Sequence, residues 1–550
     1  MKIDRSGQLS VNRRLRTSLS RFVGYVILAL AVCSPAHTLT AQAPPSKPAT
    51  PRRAAANVKP VERADVARFR KRVAAALSAA GPGKGLWGLL VTDAANGQVL
   101  FAQNADNYFT PASNAKLFTT ALALATLGPD YRVTTTIAAT EKLDTKGFLD
   151  GDLVLIGRGD ANLSNRKFPY DRNVERDGPP EKVLDELADA VVAHGVRDIS
   201  GDVVADDSMF QPEPFPSGWA IDDMLWSYGA AVSAIAVNDN TFSVELRPGA
   251  READPAFITI QPAADYYTIE NLVRTSAAGT EEKLTVTREP GSHLIRMTGT
   301  MPLGGQTHKL TIAVEQPAEY AAKLLQRLLE SRGVHVRGVS RARHAVDPLL
   351  AGADHPLENV LAEHVSVPLA EEIRAVNKDS LNLHAELLLR LSAYEKVHAI
   401  TYQDAVKFAA SFYQAAGIDD GDVTLNDGSG LSRRDLVTPR AIVQMLNYAA
   451  TQPWGELYRS SLPVAAEDGT LSEHMKNTPA AGHIFAKTGT VEHIVALSGY
   501  ATTQRGAHLV FSILGNNNNL HAQAAHEVVD TIAVALVEEL GPAAEATRRK

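Results

Sequence analysis

The sequence predicts an α/β protein in which an antiparallel sheet flanked by helices is interrupted by a large β-rich insertion of one or two modules. The sheet is expected to come from both ends of the chain, because a hairpin over residues 86–102 turns at Asn96-Gly97 and three strand-like runs lie between 484 and 514. Between residues 138 and 345, short strand-like runs alternate with clusters of Gly, Pro and Asp, which indicates the insertion.

Each element follows from a local pattern. Apolar residues spaced three and four apart predict helices over residues 62–80, 111–128, 319–331, 381–394, 402–416, 439–451 and 523–540. Short apolar runs bounded by turn residues predict strands in the insertion at 151–156, 199–205, 241–246, 256–260, 283–287, 293–299 and 310–314. The late strands of the main sheet are expected at 484–491, 496–501 and 508–514.

The N-terminal segment predicts export. Basic residues up to Arg21 precede an apolar run at 22–32, and small residues continue to Ala43, which is the order of a secretory signal peptide. The protein is therefore expected in the periplasm or the cell envelope. The apolar run is short for a membrane span, so peripheral or signal-anchored membrane association stays open, as does lipidation of Cys33.

These patterns divide the chain into six parts. The signal peptide is expected at 1–43, a disordered tether at 44–60, the first part of the main domain at 61–137, the insertion at 138–345, the second part of the main domain at 346–541, and a polar tail at 542–550.

Composition excludes several functional classes. The single cysteine, Cys33, lies in the predicted signal, so a cleaved chain has no disulfide, thiol nucleophile or cysteine-ligated metal. Removal of residues 1–43, with six Lys+Arg and one Asp, changes the net charge from −7 to −12, which argues against nucleic-acid binding. No metal-ligand spacing or phosphate-binding loop occurs, and no cofactor is expected.

The first chemical motif is Ser113-x-x-Lys116 at the start of a predicted buried helix. Residues three apart at a helix start share one face, so the motif places a hydroxyl nucleophile beside a possible base. A second match, Ser164-x-x-Lys167, runs into Phe168-Pro169, where no helix can hold the pair on one face.

Two further patterns follow in chain order, in the parts of the chain that flank the insertion. Residues 380–382 (Ser-Leu-Asn) lie just before a predicted helix, and residues 487–490 (Lys-Thr-Gly-Thr) lie in a predicted strand. Each pattern is common when it occurs alone. The three patterns together, in this order and on these elements, indicate a serine acyl-transfer site.

The residue types suit that chemistry. Ser113 is the expected nucleophile, which attacks a carbonyl carbon and forms an acyl-enzyme. Lys116 can accept the serine proton only as the neutral amine, so its pKa must fall from about 10.4 through burial and the charge of Lys487. Ser380 is expected to relay a proton between Lys116 and the leaving nitrogen, and Asn382 to bind a substrate amide and position the lysine.

The Lys-Thr-Gly-Thr segment supplies groups for a substrate carboxylate. Lys487 provides a cation, and Thr488 and Thr490 provide hydroxyl groups. Gly489 leaves the strand without a side chain, so another stretch of backbone can approach it. The backbone N–H groups of Ser113 and Thr490 are the expected oxyanion hole.

With these three motifs the chain resembles the low-molecular-mass class C penicillin-binding proteins, the penicillin-binding protein 4-like D-alanyl-D-alanine carboxypeptidases/endopeptidases. The resemblance extends over about residues 65–540 and includes the segments 151–160 (GDLVLIGRGD), 228–240 (YGAAVSAIAVNDN), 427–433 (DGSGLSR), 468–471 (DGTL) and 486–490 (AKTGT).

The resemblance implies a penicillin-recognising domain of the β-lactamase/transpeptidase-like fold, with extra domains between its first two motifs. It also implies cleavage of D-Ala-D-Ala in peptidoglycan stem peptides and acylation by β-lactam antibiotics.

Two positions depart from the family pattern. Where the family often has an arginine soon after Gly-Thr-Leu, residues 472–476 read Ser-Glu-His-Met-Lys, and Val491 replaces the usual leucine.

Two alternatives stay open. A serine β-lactamase would share the motifs, but no Glu-x-x-Leu-Asn segment that could activate water lies between Ser380 and Lys487, and the insertion is long for that class. The other alternative is a catalytically silent cell-wall-binding protein whose working part is the insertion. Carboxypeptidase against endopeptidase preference and the oligomeric state also stay open.

Overall fold

The structure is a computed structural model that describes residues 63–79, 84–345 and 359–542. The predicted signal peptide, the tether and all but the first residue of the predicted tail lie outside these residues. The chain divides into two units, and every described residue falls in the second, Glu62–Lys550. No helix in the described part of the chain is both long and apolar enough to cross a bilayer.

Ten α-helices occur in the described residues, and seven of them match the predicted helices. They are α1 (Ala64–Ala79), α2 (Lys116–Leu127), α3 (Lys182–Ala193), α4 (Pro317–Ser331), α5 (Leu369–Lys378), α6 (Asn382–Val397), α7 (Tyr402–Ala415), α8 (Pro439–Ala450), α9 (Gly455–Ser461) and α10 (Ala522–Glu539). Helices α3, α5 and α9 were not predicted, although the buried residues of α3 (Val183, Leu184, Leu187, Ala188 and Val191) follow the helical spacing.

The same residues contain twenty-one strands. They are β1 (Leu86–Asp93), β2 (Val99–Gln103), β3 (Thr134–Ala139), β4 (Phe148–Leu149), β5 (Leu153–Ile156), β6 (Asp198–Ile199), β7 (Val203–Asp206), β8 (Thr241–Arg247), β9 (Phe257–Gln261), β10 (Thr268–Ser276), β11 (Lys283–Arg288), β12 (Leu294–Pro302), β13 (His308–Ala313), β14 (His335–Val336), β15 (Ser340–Arg343), β16 (Val360–Val365), β17 (Val423–Thr424), β18 (Leu436–Val437), β19 (Ile484–Val491), β20 (Ile494–Thr502) and β21 (His508–Asn516).

One five-stranded sheet joins early and late parts of the chain, in the order β19-β20-β21-β1-β2. All neighbouring strands are antiparallel, with Leu90 opposite Ser512 and Lys487 opposite Ser498. The β1–β2 hairpin turns at Gly97, whose φ of 71° costs a glycine no steric strain. The prediction of an antiparallel sheet built from both ends of the chain is confirmed.

Helices cover both faces of this sheet. Helices α2 and α8 pack against one face together with Leu90 and Leu514, and α1 and α10 pack against the other together with Leu89 and Phe511. Successive residues of a strand point to opposite faces, which is why Leu89 and Leu90 belong to different cores.

Strands β3 to β16 form the β-rich part of the fold. A five-stranded sheet has the order β15-β7-β5-β3-β16, and three three-stranded sheets accompany it. Helices α3 and α4 pack against the larger sheet around a core separate from those of the main sheet. Strand β3 crosses residue 138 and β16 lies beyond residue 345, so this sheet uses chain on both sides of the insertion limits; the domain boundaries stay a prediction.

Helix α2 is the central helix of the main domain. Every residue from Lys116 to Leu124 is buried, and the helix follows directly on a 3₁₀ turn at Ala112–Ala115. Phe118 packs edge-on against Tyr413, with ring centroids 5.3 Å apart. Packing all round the helix fixes the position of its first turn, which carries the Ser-x-x-Lys motif.

We expect Phe118→Ala to lower the free energy of unfolding by about 3–5 kcal/mol, because it removes a fully buried ring from a tightly packed core. The measurement is urea denaturation followed by circular dichroism. Val397→Ala is the control, since that side chain is 54% exposed at the end of α6 and should change stability by less than about 0.5 kcal/mol. Equal effects of the two substitutions would contradict the central position of α2.

Candidate active site

The Ser-x-x-Lys motif lies at the junction between the 3₁₀ turn and helix α2. Ser113 is half-buried in the turn, and Lys116 is the fully buried first residue of the helix. Lys116 Nζ lies 3.0 Å from Ser113 Oγ, within hydrogen-bond distance. The one-face arrangement expected from the spacing is therefore present.

Two more contacts surround the amine of Lys116. Nζ donates to Asn382 Oδ1 at 2.6 Å and to the backbone oxygen of Ser429 at 2.8 Å. Burial lowers the pKa of Lys116 to about 7, although the carboxylates of Asp427 and Glu386 act in the opposite direction. A neutral amine is thus available near neutral pH, one hydrogen bond away from the serine.

Lys487 and Ser380 form a second pair in the same region. Lys487 is fully buried in β19, and its Nζ donates to Ser380 Oγ at 2.9 Å and to the backbone oxygen of Thr488 at 3.0 Å. Burial and the charge of Lys116 lower the pKa of Lys487. Ser380 has a φ of 61°, which is uncommon for a residue with a side chain and directs its backbone sharply between α5 and α6.

Asn382 links the lysine to the inserted part of the chain. It is the first residue of α6, and while its Oδ1 accepts from Lys116, its Nδ2 donates to the backbone oxygen of Tyr228 at 2.8 Å. These two contacts fix which end of the amide faces the lysine.

Strand β19 runs past the serine at very short range. Its Gly489 is buried, and a Cβ at that position would lie 2.9 Å from the backbone oxygen of Pro111 and 3.1 Å from the backbone nitrogen of Ser113. Asn114 Nδ2 also donates to the backbone oxygen of Lys487 at 2.9 Å. The close approach expected at Gly489 is present, because only glycine leaves room for it.

The side chains of Thr488 and Thr490 lie on the face of the sheet opposite to Lys487, as the alternation of a strand requires. Thr488 Oγ1 is 2.7 Å from Thr470 Oγ1, and the exposed Thr490 has its Oγ1 2.7 Å from His526 Nε2 on α10. β19 is the outermost strand of its sheet. Residues 463–465 pair with its outer edge at residues 484–486, and the edge beyond them can pair with an extended peptide.

Sequence reasoning missed the support beneath Lys116. Fully buried Glu386 accepts hydrogen bonds from the backbone N–H groups of Gly428 and Ser429, each at 2.8 Å, and Asp427 accepts one from Gly430 at 2.7 Å. These bonds hold the loop so that the oxygen of Ser429 faces the amine. The available signal was the position of Glu386, one helical turn after Asn382.

The second Ser-x-x-Lys match has a different environment. Ser164 is buried and its Oγ accepts the backbone N–H of Asp239 at 2.6 Å, whereas Lys167 lies 3.6 Å from Asp177. A 3₁₀ turn ends at Ser164, and Asn165 adopts the left-handed conformation, so the two side chains do not share a helix face. Only the Ser113 motif adjoins the other two motifs.

The site therefore combines the groups that serine acyl transfer needs. A hydroxyl lies beside an amine with a near-neutral pKa, a second amine contacts a second hydroxyl, and a glycine-containing strand lies against the serine backbone. All eight predicted residues, from Ser113 to Thr490, belong to this one region.

Comparisons with known proteins agree with this geometry. The D-Ala-D-Ala carboxypeptidase 3 (S13) family matches residues 70–538. The chain is similar to a D-alanyl-D-alanine carboxypeptidase of Actinomadura sp. (strain R39), with 36% identity over 467 residues that cover 82% of this chain and 81% of that protein. It is 25% identical to D-alanyl-D-alanine carboxypeptidase DacB of Haemophilus influenzae over 77% of this chain and 84% of that protein.

The fold has a counterpart among solved structures. The crystal structure of penicillin binding protein 4 (dacB) from Haemophilus influenzae superposes with a TM-score of 0.72 and 24% identity, covering 84% of this chain and 98% of that chain. The predicted family and fold class are confirmed. This chain belongs to the D-Ala-D-Ala carboxypeptidase 3 (S13) family.

Proposed function

We propose that the protein is a serine D-alanyl-D-alanine carboxypeptidase/endopeptidase that cleaves peptidoglycan stem peptides through an acyl-enzyme on Ser113. The observation that carries the proposal is the 3.0 Å contact between Ser113 Oγ and the buried amine of Lys116. Family membership supports the reaction class, since the Actinomadura relative is named a D-alanyl-D-alanine carboxypeptidase. Acylation by penicillin is part of the proposal, and the Haemophilus structure was also determined with a β-lactam.

Acylation starts with proton removal. Neutral Lys116 accepts the proton of Ser113 while Oγ forms a bond to the carbonyl carbon of the penultimate D-alanine. The carbonyl oxygen takes the negative charge and is stabilised by the backbone N–H groups of Ser113 and Thr490. The proton then passes from Lys116 through Ser380 to the peptide nitrogen, the C–N bond breaks, and D-alanine leaves.

Deacylation repeats these steps with water in place of the leaving amine. Lys116, neutral again, accepts a proton from the water while its oxygen bonds to the ester carbon. The ester bond then breaks and the proton returns to Ser113 Oγ. Asn382, held by its contact with Tyr228, keeps the amine of Lys116 directed at Ser113 in both half-reactions.

Substrate binding uses the edge of β19 and the groove beside it. An extended stem peptide pairs with the strand edge, and its terminal carboxylate contacts the exposed hydroxyl group of Thr490. Thr488 lies on the same face of the strand as Thr490, and Lys487 acts from the other face, where its amine contacts Ser380. A cavity of about 400 Å³ next to Ser380 and Asn382 has a polar lining and gives room for the rest of the peptidoglycan.

We also infer that the protein acts outside the cytoplasm, in the periplasm or the cell envelope. Its substrate class is found there, and residues 1–43 have the pattern of a signal peptide. Membrane association through that segment is part of the same inference.

We expect fluorescent penicillin to label the protein covalently, and Ser113→Ala to abolish labelling, because Ser113 is the hydroxyl that lies against the buried amine of Lys116. Lys116→Ala should slow labelling by 10²–10⁴-fold, since it removes the base. Lys167→Ala, in the second Ser-x-x-Lys match, should label like the wild type. No labelling of a folded sample would favour a silent cell-wall-binding protein, and an adduct that lasts only seconds would favour a β-lactamase.

The acylation rate should depend on pH through Lys116. Its pKa is lowered to about 7, and only the neutral form accepts a proton, so the rate constant should rise about tenfold per pH unit below 7 and level off above it. The measurement is the second-order rate constant for penicillin acylation between pH 5 and 9. A rate constant that does not change across this range would contradict the role of Lys116 as base.

Gly489→Ala should slow acylation by about 10²-fold, because the added Cβ forces β19 away from the backbone of Ser113. Gly97→Ala is the control: it strains a hairpin with φ of 71° and should lower the melting temperature while leaving the acylation rate unchanged. Wild-type acylation in Gly489→Ala would show that the close approach is not needed.

A further inference from the structure

A pair of histidines adjoins the outer face of strand β19. His526 Nε2 lies 2.7 Å from Thr490 Oγ1, and the ring of His474 lies 5.1 Å from the ring of His526. His474 Nδ1 in turn lies 3.0 and 3.1 Å from the two carboxylate oxygens of Asp530. The Asp530 carboxylate, the two imidazole rings and the Thr490 hydroxyl group therefore form a chain of contacts that ends at the exposed edge of β19.

The local sequence explains this arrangement. His526 and Asp530 are four apart on α10, so they share the helix face that packs on the sheet. His474 belongs to residues 472–476, which lie between β18 and β19. Thr490 points to the α10 side, because a Cβ at the neighbouring Gly489 would point to the side of Ser113 and α2. The cluster thus joins the segment 472–476 to the Lys-Thr-Gly-Thr motif.

The hydrogen bond at Thr490 has only two possible directions. If the threonine donates to His526, its single hydrogen is used and it can offer only lone pairs to a carboxylate. If His526 Nε2–H donates to the threonine, the hydroxyl hydrogen is free to point at the substrate. Binding of a carboxylate at Thr490 therefore requires His526 to carry a proton on Nε2, and a fully protonated ring adds a favourable charge.

We propose that His526 is a positioning residue that directs the Thr490 hydroxyl to the free carboxylate of a C-terminal D-alanine, and that its protonation favours substrates with that carboxylate over substrates without it. The inference rests on the proposed function and deepens it. According to the inference, this cluster determines whether the enzyme prefers to remove a terminal residue or to cleave within a peptide.

The charged groups around His526 determine the pH at which its ring takes up a proton. Asp530 and Glu527 lie on its own helix, the segment 472–476 contributes His474 and Glu473, and β19 contributes Lys487 on its opposite face. The hydrogen bond to Asp530 raises the pKa of His474, whereas burial and the charge of His474 lower the pKa of His526. On acidification His474 gains its proton first, and His526 follows at lower pH.

A bound carboxylate raises the pKa of His526, which is opposite to the effect of burial and of His474. The negative charge next to Thr490 favours the protonated ring, so carboxylate binding and proton uptake are linked in the free energy of binding. As pH falls through the pKa of His526, kcat/KM for substrates with a free carboxylate therefore rises relative to kcat/KM for substrates without one.

The test compares two peptides that differ only at the C-terminus, a D-Ala-D-Ala acid and its amide. The ratio of their kcat/KM values is measured from pH 5 to 8.5, because ionisation of Lys116 affects both peptides equally and cancels. Ionisation of Lys487 contributes equally to the ratio in the wild type and in His526→Gln, so the difference between these two proteins reports on His526. We expect the ratio to be roughly tenfold higher at acidic than at alkaline pH. His526→Gln should remove this rise, and His474→Gln should move it to higher pH, since loss of the His474 charge makes His526 easier to protonate.

His521→Gln is the matched control, since His521 is exposed just before α10 and should leave the ratio unchanged. Thermal unfolding checks that each variant is folded. A pH-independent wild-type ratio, or a wild-type rise that survives in folded His526→Gln, would overturn the proposal.

A second readout does not need turnover. In Ser113→Ala, NMR titration of the His526 ring with and without saturating D-Ala-D-Ala peptide should show a higher pKa in the complex. An unchanged pKa would overturn the proposal for His526. Failure of the proposed function would appear separately, as wild-type protein that penicillin does not label.

Discussion

The exclusion of water from the amine of Lys116 is the constraint on which the rest of the structure depends. A lysine in water is a cation and cannot act as a base near neutral pH, so the fold must bury it and still satisfy its hydrogen bonds. Ser113, Asn382 and Ser429 do so from three segments far apart in the chain. Ser113 precedes α2 directly, Asn382 begins α6, which packs on α2, and the loop of Ser429 accepts a hydrogen bond from Thr119 of α2 through Gly428.

Sequence reasoning found the parts of the site whose chemistry lies within a few residues. Ser113 and Lys116 are related by helical spacing, and residues 487–490 by strand alternation, so local periodicity was enough to define them. The main sheet was also predictable, because an Asn-Gly hairpin and three late strands have strong turn signals. The family resemblance then supplied the substrate, which no residue pattern could give.

The remaining parts depend on contacts that no local pattern encodes. Glu386 holds a loop more than forty residues away, and His526 reaches Thr490 across the edge of a sheet. The left-handed backbone of Ser380 is set by the packing of α5 against α6, since serine has little intrinsic preference for it. Helix α3 was missed although its spacing is regular, because the surrounding strand-like runs made the region look uniformly β-rich.

The strand order of the main sheet also constrains how the chain folds. Strand β1 pairs with β21, and the Thr92–Val510 contact spans 418 positions, so the first strand has no partner until nearly the whole polypeptide is present. Closing so large a loop is slow, and the early hairpin stays unpaired on one side in the meantime. Lys116 and Lys487 therefore cannot come together before β19 to β21 have been synthesised.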